Sequence, residues 1–294
     1  MALNEIKQAI RSQYHENLIS QYIFSDECGS GLCSVYLING KKYILDNKWI
    51  WKITLDYSEG PKFLPIETYT PYNETNFSEL ELTLNLNKMK LLQKANGNVP
   101  RSSDEKERMI KIAAIHYGEF LKSLGFDYEK DPQTRDTPKR VAKAWVNDLI
   151  VGSNSEAPSM TTFPNEESYD GLVIQSGIRV VSMCAHHNLP FTGSATIAYV
   201  PEDNVIGLSK LNRIVDFYSR RPQMQESLTQ QIYWHICDAL KTKHVAVSIS
   251  AKHTCCGNRG IKHPESVMTT NKFGGVFMEP SNLVREEFLQ AIQK

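Results

Sequence analysis

The chain has 294 residues, of which 41% are hydrophobic and 22% are charged, close to the average for globular proteins. Its 33 basic residues balance its 33 acidic residues, so no net charge attracts the protein to nucleic acid or an anionic membrane. No apolar run approaches the roughly 20 residues of a membrane span, and the first residues lack the apolar core of a signal peptide. We therefore expect a cytoplasmic protein with no nucleic-acid or membrane partner.

The first hundred residues predict a small β-rich module behind a short helix. Apolar residues spaced three or four apart predict an amphipathic helix over residues 1–20. An Asn39-Gly40 turn separates two β-rich runs, which is a strong hairpin pattern. We therefore expect a module of unknown role over residues 1–95 and a linker over residues 96–103.

Two helices are predicted to open a second domain, which extends over residues 104–294. The first has Ser102 or Ser103 as its candidate N-cap, acidic residues in its first turn and Gly125 at its end. The second has Thr137 as its candidate N-cap, followed by a proline at the first helical position.

Strands and helices then follow in an order that indicates an α+β fold. Periodicity predicts two strands, two helices, a third strand, a β-like segment and a closing helix, over residues 172–183, 195–201, 208–218, 223–240, 245–252, 266–278 and 283–292. No helices alternate regularly with the strands as crossovers, which favours an antiparallel sheet.

Two cysteine- and histidine-rich stretches predict a metal site. Cys184 and His187 have the C-x-x-H spacing of two ligands on one loop, and Cys255 follows the third strand. Two thiolates and one imidazole leave an open position for water, which is the catalytic form of a zinc site. The alternative is that these cysteines are buried for packing and the histidines are solvated. The second His-x-Cys stretch favours the metal.

Of the neighbouring residues, Cys255 is chosen as the ligand and Cys256 is expected to pack. On a strand only one of the two can face the site, and Cys255 shares the side of His253. His186 and His253 are then candidate acid–base residues. For each of them, a hydrogen bond that orients a neighbour is an equally good interpretation.

Basic residues near these stretches predict an anion site. Ser209, Lys210 and Arg213 lie in the first turn of a predicted helix, where backbone N–H groups favour anions. Arg140 and Arg259 stand near other motifs. Each of these residues alone is most often a solvated surface charge, but grouped around a metal they would hold a polyphosphate.

Gln225 and Glu226 are candidates for recognising the edge of a base, through an amide and a carboxylate. A helix-surface carboxylate is the alternative for Glu226. The residues alone do not decide between the two.

Five motifs together resemble the GTP cyclohydrolase I family. They are Thr137-Pro-Lys-Arg-Val-Ala-Lys, Cys184-Ala-His-His, Val205-Ile-Gly-Leu-Ser-Lys-Leu-Asn-Arg-Ile-Val-Asp, Arg221-Pro-Gln-Met-Gln-Glu-Ser-Leu-Thr, and His253-Thr-Cys with Arg259-Gly. The resemblance covers about residues 104–292 and does not reach the first hundred. It implies a T-fold subunit, with an antiparallel sheet backed by helices, in a toroidal homodecamer with active sites between subunits.

The resemblance also implies a reaction. The imidazole ring of GTP is opened hydrolytically, formate leaves, the ribose rearranges, and the ring closes to 7,8-dihydroneopterin triphosphate. This is the first step of folate and pterin or of 7-deazaguanine synthesis. By the resemblance, zinc is bound by Cys184, His187 and Cys255, and its water attacks C8. The resemblance assigns proton transfer to His186 and His253, and guanine binding to Gln225 and Glu226. It assigns triphosphate binding or catalysis at the ribose to Ser209, Lys210, Arg213, Arg259 and Arg140.

One position departs from the family pattern. The family usually has glutamate between the zinc cysteine and the paired histidines, whereas this chain has Ala185. The missing carboxylate removes a charge beside the metal. The alternative function is therefore a GTP-binding regulatory protein, or an enzyme that stops at an intermediate. A nucleic-acid module with structural zinc is disfavoured by the balanced charge.

Overall fold

The computed structural model describes residues 90–279 and 282–292 in full, and the backbone of five strands between residues 18 and 71. The chain divides into two compact units, Met1–Lys90 and Leu91–Lys294. In the part of the chain that the structure describes, no helix is both long and apolar enough to cross a membrane.

The first unit contains an antiparallel sheet in which each strand pairs with the next along the chain. Its strands are β1 (Leu18–Asp26), β2 (Gly29–Ile38), β3 (Lys41–Leu45), β4 (Ile50–Leu55) and β5 (Glu67–Pro71). Strands β2 and β3 flank Asn39 and Gly40, with Ile38 opposite Lys41. The helix predicted over residues 1–20 lies outside the described residues as far as residue 17, and its last three positions belong to β1.

The second unit combines six α-helices with seven strands among its described residues. The helices are α1 (Ser103–Ser123), α2 (Thr137–Ala144), α3 (Leu208–Ser219), α4 (Gln225–Leu240), α5 (Thr254–Gly257) and α6 (Leu283–Ala291). The strands are β6 (Thr162–Pro164), β7 (Val173–Cys184), β8 (Pro190–Tyr199), β9 (Asn204–Ile206), β10 (Pro222–Gln223), β11 (Val245–His253) and β12 (Val267–Phe273). A π-helical segment (Trp145–Leu149) and two 3₁₀ segments (Val151–Ser153 and Gly275–Met278) complete the regular structure.

The main sheet has the strand order β10-β7-β8-β11-β12. The prediction of antiparallel pairing is confirmed for β7, β8, β11 and β12 and is wrong for β10, which runs parallel to β7. In β9, the Ile206 N–H donates to the hydroxyl of Tyr199, the last residue of β8. The chain then runs through α3 to Arg221, whose carbonyl accepts a hydrogen bond from Ser182 Oγ of β7. It therefore enters β10 already running in the direction of β7. Strands β6 and β9, which pair with each other, were missed by the sequence pattern because each has only three residues.

Capping explains where the first helix of this unit begins and ends. Ser102 Oγ accepts a hydrogen bond from the Glu105 N–H at 3.2 Å, and Glu105 Oε2 accepts one from the Ser102 N–H at 2.8 Å. The chain turns after α1 at Gly125, whose φ of +86° suits glycine. The prediction of Thr137 as an N-cap is wrong, because Asp136 is the N-cap of α2 and makes no side-chain capping bond.

The sheet is buried on both faces, which fixes the strand register. Ile197 of β8 and Val247 of β11 pack in a core with α3 and α4, whereas their neighbours Ala198 and Ala246 pack against Phe277 and Phe288 on the other face. A slip of one residue would exchange the two sets of side chains. Each fully buried large apolar side chain contributes about 1.5–3 kcal/mol. The ends of the strands, and the residues that follow them, are therefore held in place.

Candidate metal centre and acid–base site

Four strands of the main sheet bring their ends together at one edge. Strand β7 ends at Cys184, beside Gln223 of β10. Strand β8 begins at Pro190, next to the end of β7, and β11 ends at His253, opposite Phe191 of β8. Paired residues lie side by side, so the strand register alone brings the two cysteine- and histidine-rich stretches next to each other.

A tight loop between β7 and β8 presents the paired histidines. The Cys184 N–H donates to the carbonyl of Leu189 at 2.8 Å, and the Asn188 N–H donates to the carbonyl of Cys184 at 2.8 Å. Asn188 has a φ of +53°, a left-handed conformation that asparagine tolerates better than most residues. The loop leaves His186 and His187 exposed at the edge of the sheet.

The structure brings the three predicted metal ligands together. One donor atom from each of Cys184, His187 and Cys255 lies within 4.8 Å of the others. Cys255 is placed by α5, which begins directly after β11, and Thr254 Oγ1 anchors this turn by donating to the carbonyl of Pro190 at 2.6 Å.

The chemistry of this donor set fits zinc. Thiolate and neutral imidazole are the ligands that zinc prefers, and three of them leave a fourth position open. Burial, followed by a hydrogen bond to Cys184, raises the pKa of the Cys255 thiol to about 11. Two adjacent thiolates are therefore unfavourable by themselves, and a divalent cation between them would offset the cost.

His253 is held on one face by a phenylalanine ring. The rings of His253 and Phe191 stack with centroids 4.5 Å apart and an interplanar angle of 9°. Burial lowers the pKa of His253, and the nearby Glu226 carboxylate opposes that shift. At neutral pH the ring is therefore neutral and able to accept a proton.

Gln225 is occupied within the protein, in contrast to its predicted contact with guanine. Gln225 is only 1% exposed to solvent. Its Oε1 lies 2.9 Å from His253 Nε2. Its Nε2 donates to the carbonyls of Ile249 and Met268 at 2.9 and 3.0 Å and lies 3.1 Å from Thr270 Oγ1. Glu226, the next residue on α4, is exposed.

The predicted anion-binding turn lies towards the opposite end of the sheet. Ser209, Lys210 and Arg213 are on α3, directly after β9. The Ile206 N–H of β9 donates at 3.1 Å to the hydroxyl of Tyr199, the last residue of β8, whereas the metal group lies at the start of β8. Ten residues of helix, about 15 Å, separate Ser209 from the other end of α3. A single chain therefore does not gather this turn around Cys184.

The two remaining arginines differ in position. Arg140 is exposed on α2 and lies 3.5 Å from Asp136, one turn back. Arg259 is exposed just after α5, four residues beyond Cys255 in the chain. Of the two, only Arg259 is tied by the chain to the metal group.

Two details of the sequence interpretation are corrected. Cys255 and Cys256 lie on the short helix α5 and not on a strand, because β11 ends at His253. Cys256 is exposed and does not pack as expected. The sequence pattern did not indicate Phe191 and Thr270, which support His253 and Gln225. No local pattern identifies these two residues, because their contacts depend on the pairing of distant strands.

Comparisons with known proteins identify the family of the second unit. The family model of GTP cyclohydrolase I matches residues 113–293. GTP cyclohydrolase 1 of Flavobacterium johnsoniae is 44% identical over 174 residues, which are 59% of this chain and 77% of that protein. The proteins of the same name from Erwinia tasmaniensis and Yersinia pseudotuberculosis are 42% identical over 194 and 191 residues, covering 66% and 65% of this chain and 86% of each relative.

The family match extends over more than half of the chain. Among solved structures, the archaeosine synthase QueF-Like in the apo form matches with a TM-score of 0.28 and 19% identity, over 35% of this chain and 95% of that one. A likeness this weak carries no argument about fold or function. The family model and the relatives confirm the resemblance seen in the motifs, and the chain belongs to the GTP cyclohydrolase I family of hydrolases.

Proposed function

We propose that this chain converts GTP into 7,8-dihydroneopterin triphosphate and formate, with zinc as its cofactor. The observation that carries the proposal is the convergence of Cys184, His187 and Cys255 at the end of the sheet where His253 also lies. The names of the relatives support GTP as the substrate. The mixed sheet backed by helices is consistent with a T-fold subunit, which we propose for residues 104–294.

The metal ligands in this proposal are Cys184, His187 and Cys255. Bound zinc supplies Lewis-acid activation of the water that hydrolysis requires. The chain itself keeps the two thiols in a partly buried group, where their charges are most strongly attracted to a cation. His186, exposed beside a ligand, is suited to exchange protons with solvent and substrate.

Glu226 is the residue that we propose for recognition of guanine. A carboxylate has two acceptor oxygens, and guanine presents two adjacent donors, N1–H and the 2-amino group. Adenine lacks this pair of donors, so a carboxylate here selects against it. Glu226 is exposed at the start of α4, next to Gln225, which contacts His253.

The triphosphate requires a second copy of the chain. We propose that Ser209, Lys210 and Arg213 of one subunit complete the site formed by the metal group of a neighbour, in a homodecamer. The position of α3, whose first turn lies far from Cys184 of the same chain, supports this arrangement. Arg259 and Arg140 are the further contacts that we propose for the triphosphate or ribose.

We further propose a cytoplasmic enzyme whose product feeds folate and pterin or 7-deazaguanine synthesis. Residues 1–95 would form a module separate from the catalytic domain, with residues 96–103 between them. Within the segment 96–103, Asn98 and Val99 hydrogen-bond to residues 152–155.

Ala185 supports a second candidate, a protein that binds GTP without completing the reaction. Its backbone N–H donates to the carbonyl of Gln223 at 3.2 Å, so the position is fixed beside Cys184. Its methyl side chain offers no proton donor or acceptor there. If a carboxylate at this position is needed to move protons, the imidazole ring of GTP would be opened but the new ring of the pterin would not be closed.

The direct test incubates purified full-length protein with GTP after elemental analysis of its zinc content. We expect equal amounts of formate and of 7,8-dihydroneopterin triphosphate, identified by mass spectrometry. Removal of zinc with a chelator should abolish turnover, and zinc should restore it. GTP binding without turnover in zinc-loaded protein would reject the first function in favour of the second, as would a ring-opened product that accumulates.

A further inference from the structure

The orientation of the Gln225 amide is fixed by its neighbours. Two backbone carbonyls, those of Ile249 and Met268, lie 2.9 and 3.0 Å from one end of the amide. A carbonyl oxygen only accepts hydrogen bonds, so the amide nitrogen must be the atom at that end. Rotating the amide by half a turn would place its oxygen against two other oxygens in a site that is 1% exposed.

This orientation determines the hydrogen on His253. The amide oxygen of Gln225 lies 2.9 Å from His253 Nε2, and an oxygen of this kind also only accepts. The Nε2 atom must therefore carry a hydrogen. In a neutral imidazole only one nitrogen does so, which leaves the lone pair on Nδ1.

We propose that Gln225 is a positioning residue that locks His253 in its Nε2–H tautomer, so that Nδ1 is the atom that exchanges protons with the substrate. Among the described residues, no group hydrogen-bonds to His253 Nδ1. Polar atoms that are fully buried without a partner are few, and His253 Nδ1 is not among them. The Nδ1 atom therefore has surface exposed to solvent. Gln225 is thus assigned to His253 and not to the guanine edge.

The surroundings keep this geometry rigid. Thr229 Oγ1 donates to the Gln225 carbonyl at 2.9 Å and lies 2.7 Å from Thr270 Oγ1, which in turn contacts the Gln225 amide nitrogen. The stacked ring of Phe191 fixes the plane of the His253 imidazole. With both the plane and one ring nitrogen held, the ring cannot turn over to present Nε2.

The proton balance of this arrangement is simple. His253 takes a proton on Nδ1 and becomes an imidazolium whose Nε2–H still donates to Gln225. It returns the proton from Nδ1 and recovers the same tautomer, and Gln225 gains and loses none. Only the catalytic role depends on the proposed function, since the tautomer is a property of the folded protein.

The first experiment measures that tautomer without any change at Gln225. Full-length, zinc-loaded protein labelled with ¹⁵N-histidine is studied by solid-state NMR at a pH where His253 is neutral, and the same spectrum of the His253→Asn variant identifies the His253 signals by difference. We expect the protonated nitrogen to be Nε2. A protonated Nδ1 on the neutral ring overturns the proposal, whether or not the protein turns over GTP.

The second experiment separates positioning from substrate binding. Gln225→Met has similar length but no acceptor, so we expect kcat to fall roughly 10- to 100-fold, with an unchanged KM for GTP and with both tautomers present in the spectrum. Gln231→Met is the matched control, because Gln231 lies on the same helix and its Oε1 has no hydrogen-bond partner among the described residues. A raised KM with an unchanged kcat for Gln225→Met would instead assign Gln225 to the guanine. If Gln225→Met does not fold, the tautomer in the unaltered protein still decides.

Discussion

His253 lies opposite Phe191 on the paired strands β11 and β8, and the two rings stack with centroids 4.5 Å apart. Phe191 is completely buried, so the imidazole rests on a surface that belongs to the core. The core therefore controls the orientation of a side chain proposed to move protons. Substitutions below the site should affect catalysis as well as stability.

Phe191→Leu should reduce both stability and kcat while leaving zinc bound. The stacked pair contributes about 0.5–1.5 kcal/mol beyond its buried area, and leucine offers no flat surface for the imidazole. Thermal unfolding, zinc analysis and steady-state kinetics would measure the three effects. Phe277→Leu is the matched control, because Phe277 is equally buried and pairs with Phe288 on the other side of the sheet. We expect it to lower stability without lowering kcat, and equal losses of kcat in both variants would contradict the role of Phe191.

Cys184→Ala and Cys255→Ala should each lose nearly all bound zinc, because each removes one of the three ligands that we propose among the described residues. Cys256→Ala should retain it, since Cys256 is exposed and adjacent to the ligand without belonging to the donor group. Elemental analysis of the three purified proteins would measure the difference. The same zinc content in all three would refute the ligand assignment.

The acid limb of kcat/KM should lie below pH 6.5. Burial lowers the pKa of His253 from its ordinary value of 6.5, and the base is active only when neutral, so activity is lost as pH falls through the lowered pKa. Glu226→Gln removes the charge that raises this pKa, and the limb should move to still lower pH, whatever happens to the maximal rate. Glu265→Gln, which alters an exposed pair with Lys252, should leave the limb in place. A shift of the limb to higher pH in Glu226→Gln would contradict His253 as the base.

Mixed oligomers should recover activity from two inactive variants. If the anion-binding turn of one subunit serves the metal group of another, co-assembled Cys255→Ala and Lys210→Ala chains contain some sites with both residues intact. Co-expression with two affinity tags, followed by kinetics on the doubly purified protein, would measure the recovery. A mixture of Cys184→Ala and Cys255→Ala is the control and should stay inactive, because both proposed ligands come from the same chain. Failure of the first mixture to recover would mean that the site is completed within one chain.

The sequence by itself determined the longer helices and strands and the chemical inventory of the second unit. Apolar periodicity predicted β7 and β11, and the capping pattern at Ser102 or Ser103 predicted the start of α1, with Ser102 as the N-cap in the structure. The C-x-x-H spacing identified Cys184 and His187, because two ligands on one loop are a local feature. The five ordered motifs were enough to indicate the family.

Only the tertiary structure decided how these residues are divided among roles. Register between β8 and β11 placed Phe191 under His253, and the parallel strand β10 brought α4 to the same edge, where Gln225 turned inward. The pattern also placed Cys255 on a strand, whereas it lies on a helix. Contacts between residues far apart in the chain depend on register and crossing direction, and a local pattern of side chains carries neither.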